Sequence, residues 1–401
     1  MNDDDIRRDN DYIDAALKPV IGAEKYHIAG YEVIGCLQKN GDTIPLKAFF
    51  DSAENDMALK WQTDKQLYRL AAEKLLERES SAKLFMNMLP EVFTELDAIE
   101  DLMELLQEFH EWGLQPSQFV VEINSAGLEG RLDELSHSIL YLKASGYEVS
   151  LDNIKIADTH LEQFAKLEPN IIKIDVSDLR TSSSYTTYSE ILDTLSYFAR
   201  KIGSSLHFKG IEDAEQFHVA WRYGGYYYQG EYIGKDVHEV VESSSFEQSV
   251  RADIHSFIDR HSRRLKNERE FVKNMDDKLR QLVHTKDSEK MMKEASKTFH
   301  AEAFRMYICD EYGYQMSANW TKRSGDWEQN KEAKGKNWSW RVYFLDHMSR
   351  MAFNRNGMLS DKYRDIETNE LILTYSHPLQ SEQFLFIDID PIYLYEKNWF
   401  I

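Results

Sequence analysis

The stretch that decides the fold is FVVEINSAGLEGRLDELSHSILYLKASGYEVSLD, residues 119–152. It begins and ends with short apolar runs rich in strand-forming residues, FVVEIN and YEVSLD, and apolar residues recur at three- and four-residue spacings between them. This pattern predicts a strand, an amphipathic helix and a second strand. Because a helical crossover joins parallel strands of one sheet, the stretch predicts a β-α-β unit.

The same alternation runs through roughly the first 235 residues. Seven runs are candidate strands: 28–37, 83–87, 119–124, 147–152, 170–175, 205–209 and 226–230. Helical patterns lie between them, as in TDKQLYRLAAEKLLER and YSEILDTLSYFARKIG. Repeated units of this kind predict an α/β fold, a TIM-like (β/α) barrel, for which ~250 residues is typical.

The pattern of the sequence changes after about residue 236. Apolar residues continue at helical spacings to about residue 300 without Pro or Gly, which predicts one long amphipathic helix or two. The last hundred or so residues hold five of the eight tryptophans: Trp320, Trp327, Trp338, Trp340 and Trp399. Strand-like runs there surround the helical WSWRVYFLDHMSRMAF, which favours a small α+β sensor-like domain. Aromatics clustered in this way are more often core than ligand pocket, although the tryptophans and Arg341 could also line a pocket. We therefore predict a barrel over 1–238, a helical linker over 239–292 and a sensor domain over 293–401.

The composition of the chain limits the classes of function that are compatible with it. A formal net charge of −21 disfavours binding to nucleic-acid polymers, because that affinity depends on clustered Lys and Arg. A small anionic ligand would need a local cation or backbone donors. No run approaches the ~18 to 20 apolar residues that span a bilayer, and MNDDDIRRDNDY lacks the apolar core of an export signal. We expect a cytoplasmic protein without membrane insertion, in which the two distant cysteines, Cys36 and Cys309, are buried apolar residues.

Polar residues occur in or at the end of every candidate strand. They are Glu32, Asn87, Glu122, Asp152, Lys173, Asp175, Lys209 and Gln229. Taken alone, any one of them could be a solvated residue at a strand end or a helix cap. Glu32, Glu122 and Asp152 together are harder to explain in that way, because each lies within or directly after a largely apolar run, where an unpaired carboxylate is costly. Three carboxylates and the Asn87 amide at one barrel mouth predict an all-oxygen site for a divalent cation, Mg²⁺, Mn²⁺ or Ca²⁺.

The motifs around these residues resemble those of EAL domains. They are YEVIG, FMNMLP, VVEIN, LDNIKIADTHLEQFAKLEPNIIKIDVSDL, FKGIED and YYYQG, and the resemblance covers about residues 20–238. EAL domains are TIM-like barrels that bind the bacterial second messenger cyclic di-GMP and usually hydrolyse it to linear pGpG. The tail, with GKNWSWRVYF, GMLSDKYRDIETNELI and FLFIDID, is similar to the PAS- or Cache-like domain that accompanies some Gram-positive EAL proteins.

The resemblance implies a role for each matching residue. Glu32, Asn87, Glu122 and Asp152 would ligate the metal, and Lys173 would be the catalytic residue that helps to position the attacking water. Gln229, Glu212 and Lys173 would line the ligand pocket, and we expect Ile34 and Lys209 to line it as well, although both stand where the sequence departs from the family pattern.

Several positions depart from the EAL pattern. Glu32 is followed by VIGC (33–36) instead of Ala-Leu-Leu-Arg, so the arginine that would touch a ligand phosphate is missing. Asn153 replaces the second of two aspartates, which makes a second bound cation less favourable. The loop IKIADTH (154–160) lacks both family glycines, and Ser125 replaces the glutamate that steadies it.

Lys209 stands where the family carries its usual general base, a glutamate. An ammonium has no free lone pair with which to take a proton from water. Proton abstraction by a positioned group is worth about 10²- to 10⁴-fold in rate. Two interpretations of Lys209 stay open: a cation that replaces the missing arginine at a phosphate, or a surface lysine paired with Glu212 or Glu231.

The sequence thus favours a cyclic di-GMP binding module, coupled to a sensor domain, whose degenerate EAL site is inactive. The alternative is a weak metal-dependent phosphodiesterase that produces pGpG. In a third hypothesis, the barrel is a structural scaffold and the sensory function lies wholly in the C-terminal tail. The long helix and the resemblance also suggest a homodimer, whereas the downstream partner and the ligand of the tail cannot be read from the sequence.

Overall fold

The computed structural model describes residues 1–39, 41–125, 132–153, 161–180, 185–241, 244–282, 287–341, 344–380 and 382–396. The loop 154–160 and Trp399, both noted in the sequence, lie outside these residues. The chain divides into two compact units, Met1–Phe257 and Ile258–Ile401.

The first unit is an eight-stranded closed barrel with helices around it, as the sequence predicts. Its strands, with one short addition, are β1 (Ile13–Gly22), β2 (Ile28–Lys39), β3 (Asp42–Pro45), β4 (Lys83–Met88), β5 (Phe119–Asn124), β6 (Glu148–Asp152), β7 (Ile171–Asp175), β8 (Ser205–Lys209) and β9 (Gly225–Tyr228). Its helices are α1 (Asp3–Arg8), α2 (Lys47–Asp51), α3 (Met57–Glu77), α4 (Pro90–Thr94), α5 (Ile99–Glu111), α6 (Leu132–Ala144), α7 (Leu161–Leu167), α8 (Tyr185–Ile202) and α9 (Ala214–Arg222).

The order of the strands closes the ring. Neighbours run β1-β9-β8-β7-β6-β5-β4-β2, β1 pairs with β2 to complete the circle, and β3 is added outside β2. The seven predicted strands are all present and lie parallel to one another. The sequence analysis missed β1, which pairs antiparallel with both β2 and β9.

Strand alternation divides the side chains of the barrel between two layers. On β5, Val121 and Ile123 join the large apolar core between strands and helices. Val120 points the other way, into a small interior layer that it forms with residues of four other strands, Val20, Phe85, Ile171 and Tyr227. The barrel interior is therefore packed at this level, and polar groups can gather only beyond it.

The second unit continues from α10 (Ser244–Arg280), whose early residues Val250 and Phe257 belong to the first core and whose later residues Phe271 and Met275 belong to the second. The remaining helices are α11 (Ser288–Thr298), α12 (Phe344–Asn354) and α13 (Pro391–Glu396). The strands are β10 (Ala303–Asp310), β11 (Asn319–Arg323), β12 (Asp326–Asn330), β13 (Met358–Leu359), β14 (Tyr363–Arg364), β15 (Leu371–Ile372), β16 (Thr374–Pro378) and β17 (Gln383–Ile389).

An antiparallel sheet forms the centre of this second unit. Its order is β12-β11-β10-β17-β16-β13, and β14 pairs separately with β15. On β10, Arg305 is buried and bonds Asp365 and Asp388, the latter through Nε at 2.6 Å, so its charge is compensated. Arg341 stacks on Trp338, 4.5 Å from the ring centroid. Among the described helices of the whole chain, none combines the length and apolarity needed to cross a bilayer.

Candidate functional site

The candidate site lies directly beyond the apolar interior layer, toward the carboxyl ends of the parallel strands. Asn87, Glu122, Lys173 and Gln229 each follow an interior residue by two positions: Phe85, Val120, Ile171 and Tyr227 respectively. Residues two apart on a strand share a face, so these polar groups point inward near the carboxyl ends of their strands. This is the end at which barrels of this fold carry their sites.

Lys173 is the centre of the first cluster. Its side chain is fully buried, and Nζ donates to Glu122 Oε2 at 2.8 Å and to Glu32 Oε2 at 3.0 Å. Burial alone would lower the pKa of Lys173, but the charges of Glu122, Glu32 and Asp152 outweigh it and raise the pKa. The ammonium therefore stays charged, and removing it would leave buried carboxylates uncompensated.

Glu32 is held in its ionised form by its neighbours. Burial acts to raise its pKa, but the Lys173 charge and the 2.9 Å hydrogen bond from Asn87 Nδ2 lower the pKa well below the usual range. The Gln229 amide favours the same ionised form, although its buried Nε2 has no hydrogen bond of ordinary distance and angle. On α3, Tyr68 donates its hydroxyl to the backbone carbonyl of Asn87 and so fixes that strand end.

Glu122 behaves differently. Burial raises its pKa to about 8, and the charges of Glu32 and Asp152 add to this effect against the opposing attraction of Lys173. Its Oε1 is buried and has no hydrogen-bond partner. A buried carboxylate oxygen without a partner is costly, and a bound cation is one of the arrangements that satisfy such an atom.

Asp152 and Asn153 form a second cluster with Lys209. The ammonium lies 2.7 Å from Asp152 Oδ1 and 2.8 Å from Oδ2, and it donates to Asn153 Oδ1 at 2.7 Å. Asn153 has a φ of +58°, a left-handed conformation that Asn tolerates better than most residues. The described side-chain hydrogen bonds of Lys209 thus go to these two residues, and neither Glu212 nor Glu231 is among their acceptors.

The remaining predicted pocket residues lie around these clusters. Gln229 is fixed by its backbone, since its N–H donates to Phe208 and its carbonyl accepts from Ile211. The next residue must be glycine, because a Cβ on Gly230 would come within 2.1 Å of the Ile211 carbonyl oxygen. Glu212 is exposed and Ile34 is half-buried on β2.

His207 is a residue of this region that the sequence analysis missed. It lies on β8 opposite Lys173, is fully buried, and neither ring nitrogen has a hydrogen-bond partner. Burial and the nearby charge of Lys173 lower its pKa well below the usual range, so the imidazole is neutral. The alternation in SLHFK could have revealed it, because His207 must share a face with Lys209.

One part of the site has ligands that suit a divalent cation. Four oxygen donors are present on adjacent strands, and the unpartnered Glu122 oxygen lies among them. In the described part of the chain Glu32, Glu122 and Asp152 do not bring their oxygens within 4.8 Å of one another, and the two lysines hold them instead. The residues therefore suit one cation near Glu32, Asn87 and Glu122, with Lys209 already against Asp152.

Comparisons with known proteins agree with this fold. The family model of the EAL domain matches residues 4–236, and the model of the EAL-domain associated signalling protein domain matches residues 240–401. The chain belongs to the EAL-domain family and carries the signalling domain associated with it.

Particular relatives extend the likeness over nearly the whole chain. The chain is 33% identical over 388 residues to an uncharacterised EAL-domain containing protein, YkuI, of Bacillus subtilis, covering 95% of each chain. It is similar to the crystal structure of that YkuI protein in complex with c-di-GMP and calcium, with a TM-score of 0.91, 32% identity and coverage of 97% and 99%. The EAL domain of FimX from Pseudomonas aeruginosa shares the barrel fold, with a TM-score of 0.51, 19% identity and coverage of 58% and 94%.

Proposed function

We propose that this chain is a cyclic di-GMP binding protein whose barrel holds the dinucleotide together with a divalent cation and does not turn it over at a useful rate. The observation that carries the proposal is Lys209, an ammonium bonded to Asp152 and Asn153 where the family's pattern puts a general base. The similar YkuI structure, with c-di-GMP and calcium, supports the choice of ligand.

The binding half of the proposal rests on the first cluster. Glu32, Asn87 and Glu122 would hold the cation, which would offset the phosphate charge of a dinucleotide in a chain of net charge −21. Lys173, whose ammonium is fixed by both carboxylates, adds a second positive charge at the same place. Gln229 would offer its buried amide Nε2 to the ligand.

The inactive half rests on the second cluster. An ammonium cannot accept the proton of an attacking water, and this one is bonded to the two side chains that a second cation would need. The positive charge that a second metal would bring is therefore already present as part of the chain. Binding is expected to survive this exchange, whereas hydrolysis is not.

A weak phosphodiesterase remains the second candidate. The retained set of Lys173, Glu32, Asn87, Glu122 and Asp152 favours it, because a single cation could still polarise a phosphate. Chromatography after prolonged incubation with Mn²⁺ separates the two: pGpG that appears, and that disappears in Asp152→Ala, would establish residual hydrolysis.

We further propose that residues 1–238 are the binding module and that 239–292 connect it to a sensory domain over 293–401. Both family matches and the two compact units support a division in this region, at 236–240 and at 257–258 respectively.

Isothermal titration of the full chain with cyclic di-GMP and Ca²⁺ tests the proposed function. We expect saturable binding that Glu122→Gln abolishes and that Glu231→Gln, at an exposed acid after β9, leaves intact. No heat of binding up to about 50 µM ligand, an affinity weaker than roughly −6 kcal/mol, would overturn it.

A further inference from the structure

A second group of metal-ligand side chains lies outside the barrel mouth. Asp14 on β1 and Cys36 on β2 are direct cross-strand partners, so their side chains share one face of the ribbon. His238, which follows the barrel, completes the group. One ligand atom from each residue lies within 4.8 Å of the other two, and this is the one such group among the described residues.

His238 is brought there by the main chain. The residue before it, Val237, exchanges two backbone hydrogen bonds with Leu17 of β1, of 2.7 and 2.9 Å. This bridge carries the imidazole over the β1–β2 ribbon, and its Nδ1 comes to lie 3.1 Å from Asp14 Oδ2. The three side chains therefore meet because two strands and the exit segment are tied together.

Neighbouring groups orient the three side chains. Lys74 on α3 donates to Asp14 Oδ1 at 2.7 Å and to the Ala15 carbonyl, which fixes the carboxylate and turns Oδ2 toward His238. Gln38 Nε2 lies 4.0 Å from Cys36 Sγ and 3.2 Å from His238 Nε2. The Lys74 contact to Asp14 is the kind of hydrogen-bonded support that metal ligands in proteins normally have.

We propose that Asp14, Cys36 and His238 form a binding site for a borderline-soft divalent cation, best matched by Zn²⁺. One sulfur, one nitrogen and one oxygen ligand suit zinc, whereas Mg²⁺ and Ca²⁺ prefer oxygen alone. Three protein ligands leave one tetrahedral position for water. As the metal–sulfur bond forms, the Cys36 thiol gives its proton to solvent and both bonding electrons stay on sulfur.

Without a metal the thiol stays protonated. Burial, reinforced by the charge of Asp14, raises the pKa of Cys36. A bound cation reverses this balance, because it stabilises the thiolate directly. Binding would pin the segment that leaves the barrel to the β1–β2 ribbon, and this segment leads into α10 within a few residues.

Cobalt spectroscopy on the metal-stripped full-length protein tests the site. Co²⁺ is added with excess Ca²⁺ present, so that oxygen-only sites are already filled. We expect a thiolate-to-cobalt charge-transfer band that saturates at about one ion per chain, that Zn²⁺ abolishes, and that is accompanied by proton release.

Variants assign the band to particular residues. Cys36→Ser and His238→Ala should weaken Co²⁺ and Zn²⁺ binding by at least about tenfold, and His238 is exposed enough that its loss should not disturb folding. Cys309→Ala removes the other cysteine, buried in the second unit, and should leave the band unchanged. Absence of the band, or a band that persists in Cys36→Ser, would refute the site.

Discussion

At the scale of single residues, Lys209 is the position on which the proposed lack of hydrolysis depends. It makes a carboxylate and an amide share one ammonium at distances of 2.7 to 2.8 Å. Such charge-assisted hydrogen bonds are among the stronger contacts in proteins, and this one involves a side chain that is only 19% exposed. In the proposed site, this lysine therefore supplies no base and also compensates the charge of Asp152, one of the expected metal ligands.

Reversing both changes should create activity. In Lys209→Glu with Asn153→Asp, a carboxylate replaces the ammonium and a second charged oxygen ligand returns. We expect pGpG formation with Mn²⁺ to rise by about 10²- to 10⁴-fold over the unaltered chain. Anion-exchange chromatography of the products measures it.

Lys209→Met is the control for this experiment, because it removes the ammonium and supplies no base. It should stay inactive while it binds cyclic di-GMP. If the double variant binds the dinucleotide and remains as inactive as the control, Lys209 and Asn153 are not what blocks turnover.

A second residue-scale prediction concerns pH. Because the pKa of Glu122 is raised to about 8 in the fold, the folded protein binds this proton more tightly than the unfolded chain does. Its contribution to stability is therefore complete below the ordinary carboxyl pKa and is lost as the pH rises toward about 8. The slope is at most about 1.4 kcal/mol per pH unit.

Thermal unfolding in EDTA checks this contribution. Between about pH 5 and 8 the melting temperature of the unaltered chain should fall relative to that of Glu122→Gln, which cannot ionise. Added Ca²⁺ should reverse the fall, since a cation replaces the proton. Parallel curves for the two proteins would contradict the prediction.

Single residues were predictable from the sequence to an uneven degree. The identity of the polar ring followed from strand ends, because the period of two fixes which residues face inward. The partners within the ring did not follow: Lys209 and Asp152 are 57 positions apart, and which ammonium meets which carboxylate depends on strand stagger.

At the scale of elements, β1 shows where residue periodicity does not predict a strand. Its sequence, IDAALKPVIG, contains a Pro and lacks clean alternation, and its burial is nearly continuous because it is covered on both faces. Such strands do not show the amphipathic period on which sequence reading relies. The seven parallel strands were found because each is bounded by clear helical patterns.

The helix α10 carries an apolar stripe that a second copy of the chain could cover. Ile258 and Leu265 are seven residues apart and are 45% and 40% exposed. A seven-residue repeat places these side chains along one side, as in paired helices. We predict a homodimer formed through this stripe.

Light scattering after size-exclusion chromatography tests the dimer. Ile258→Glu with Leu265→Glu should halve the measured mass, because the pairing surface would then carry like charges. Phe353→Glu, at an apolar side chain that is 89% exposed elsewhere in the second unit, should change nothing. A monomeric unaltered chain, or a dimer that survives the double change, would rule out this stripe.

At the scale of the whole molecule, the two compact units have cores of their own. A ligand that binds only the barrel should therefore stabilise one unit and leave the other unchanged. At a hundred times its dissociation constant it adds about 2.7 kcal/mol to the free energy of unfolding.

Differential scanning calorimetry of the full chain follows both units. Cyclic di-GMP with Ca²⁺ should raise the melting temperature of the Met1–Phe257 unit, and Glu122→Gln should remove the shift. If saturating dinucleotide moves neither transition, the barrel is a scaffold and sensing belongs to the second unit alone.

The backbone bridge between Leu17 and Val237 bears on how such a barrel can be reused. The bridge places the first strand of the barrel beside the segment that follows the last strand. The two chain connections of the barrel therefore leave it at neighbouring points. It could be grafted into a surface loop of an unrelated host without stretching that host. Such a graft would have to keep the chain as far as Phe257, because Val250 and Phe257 of α10 belong to the core of this unit.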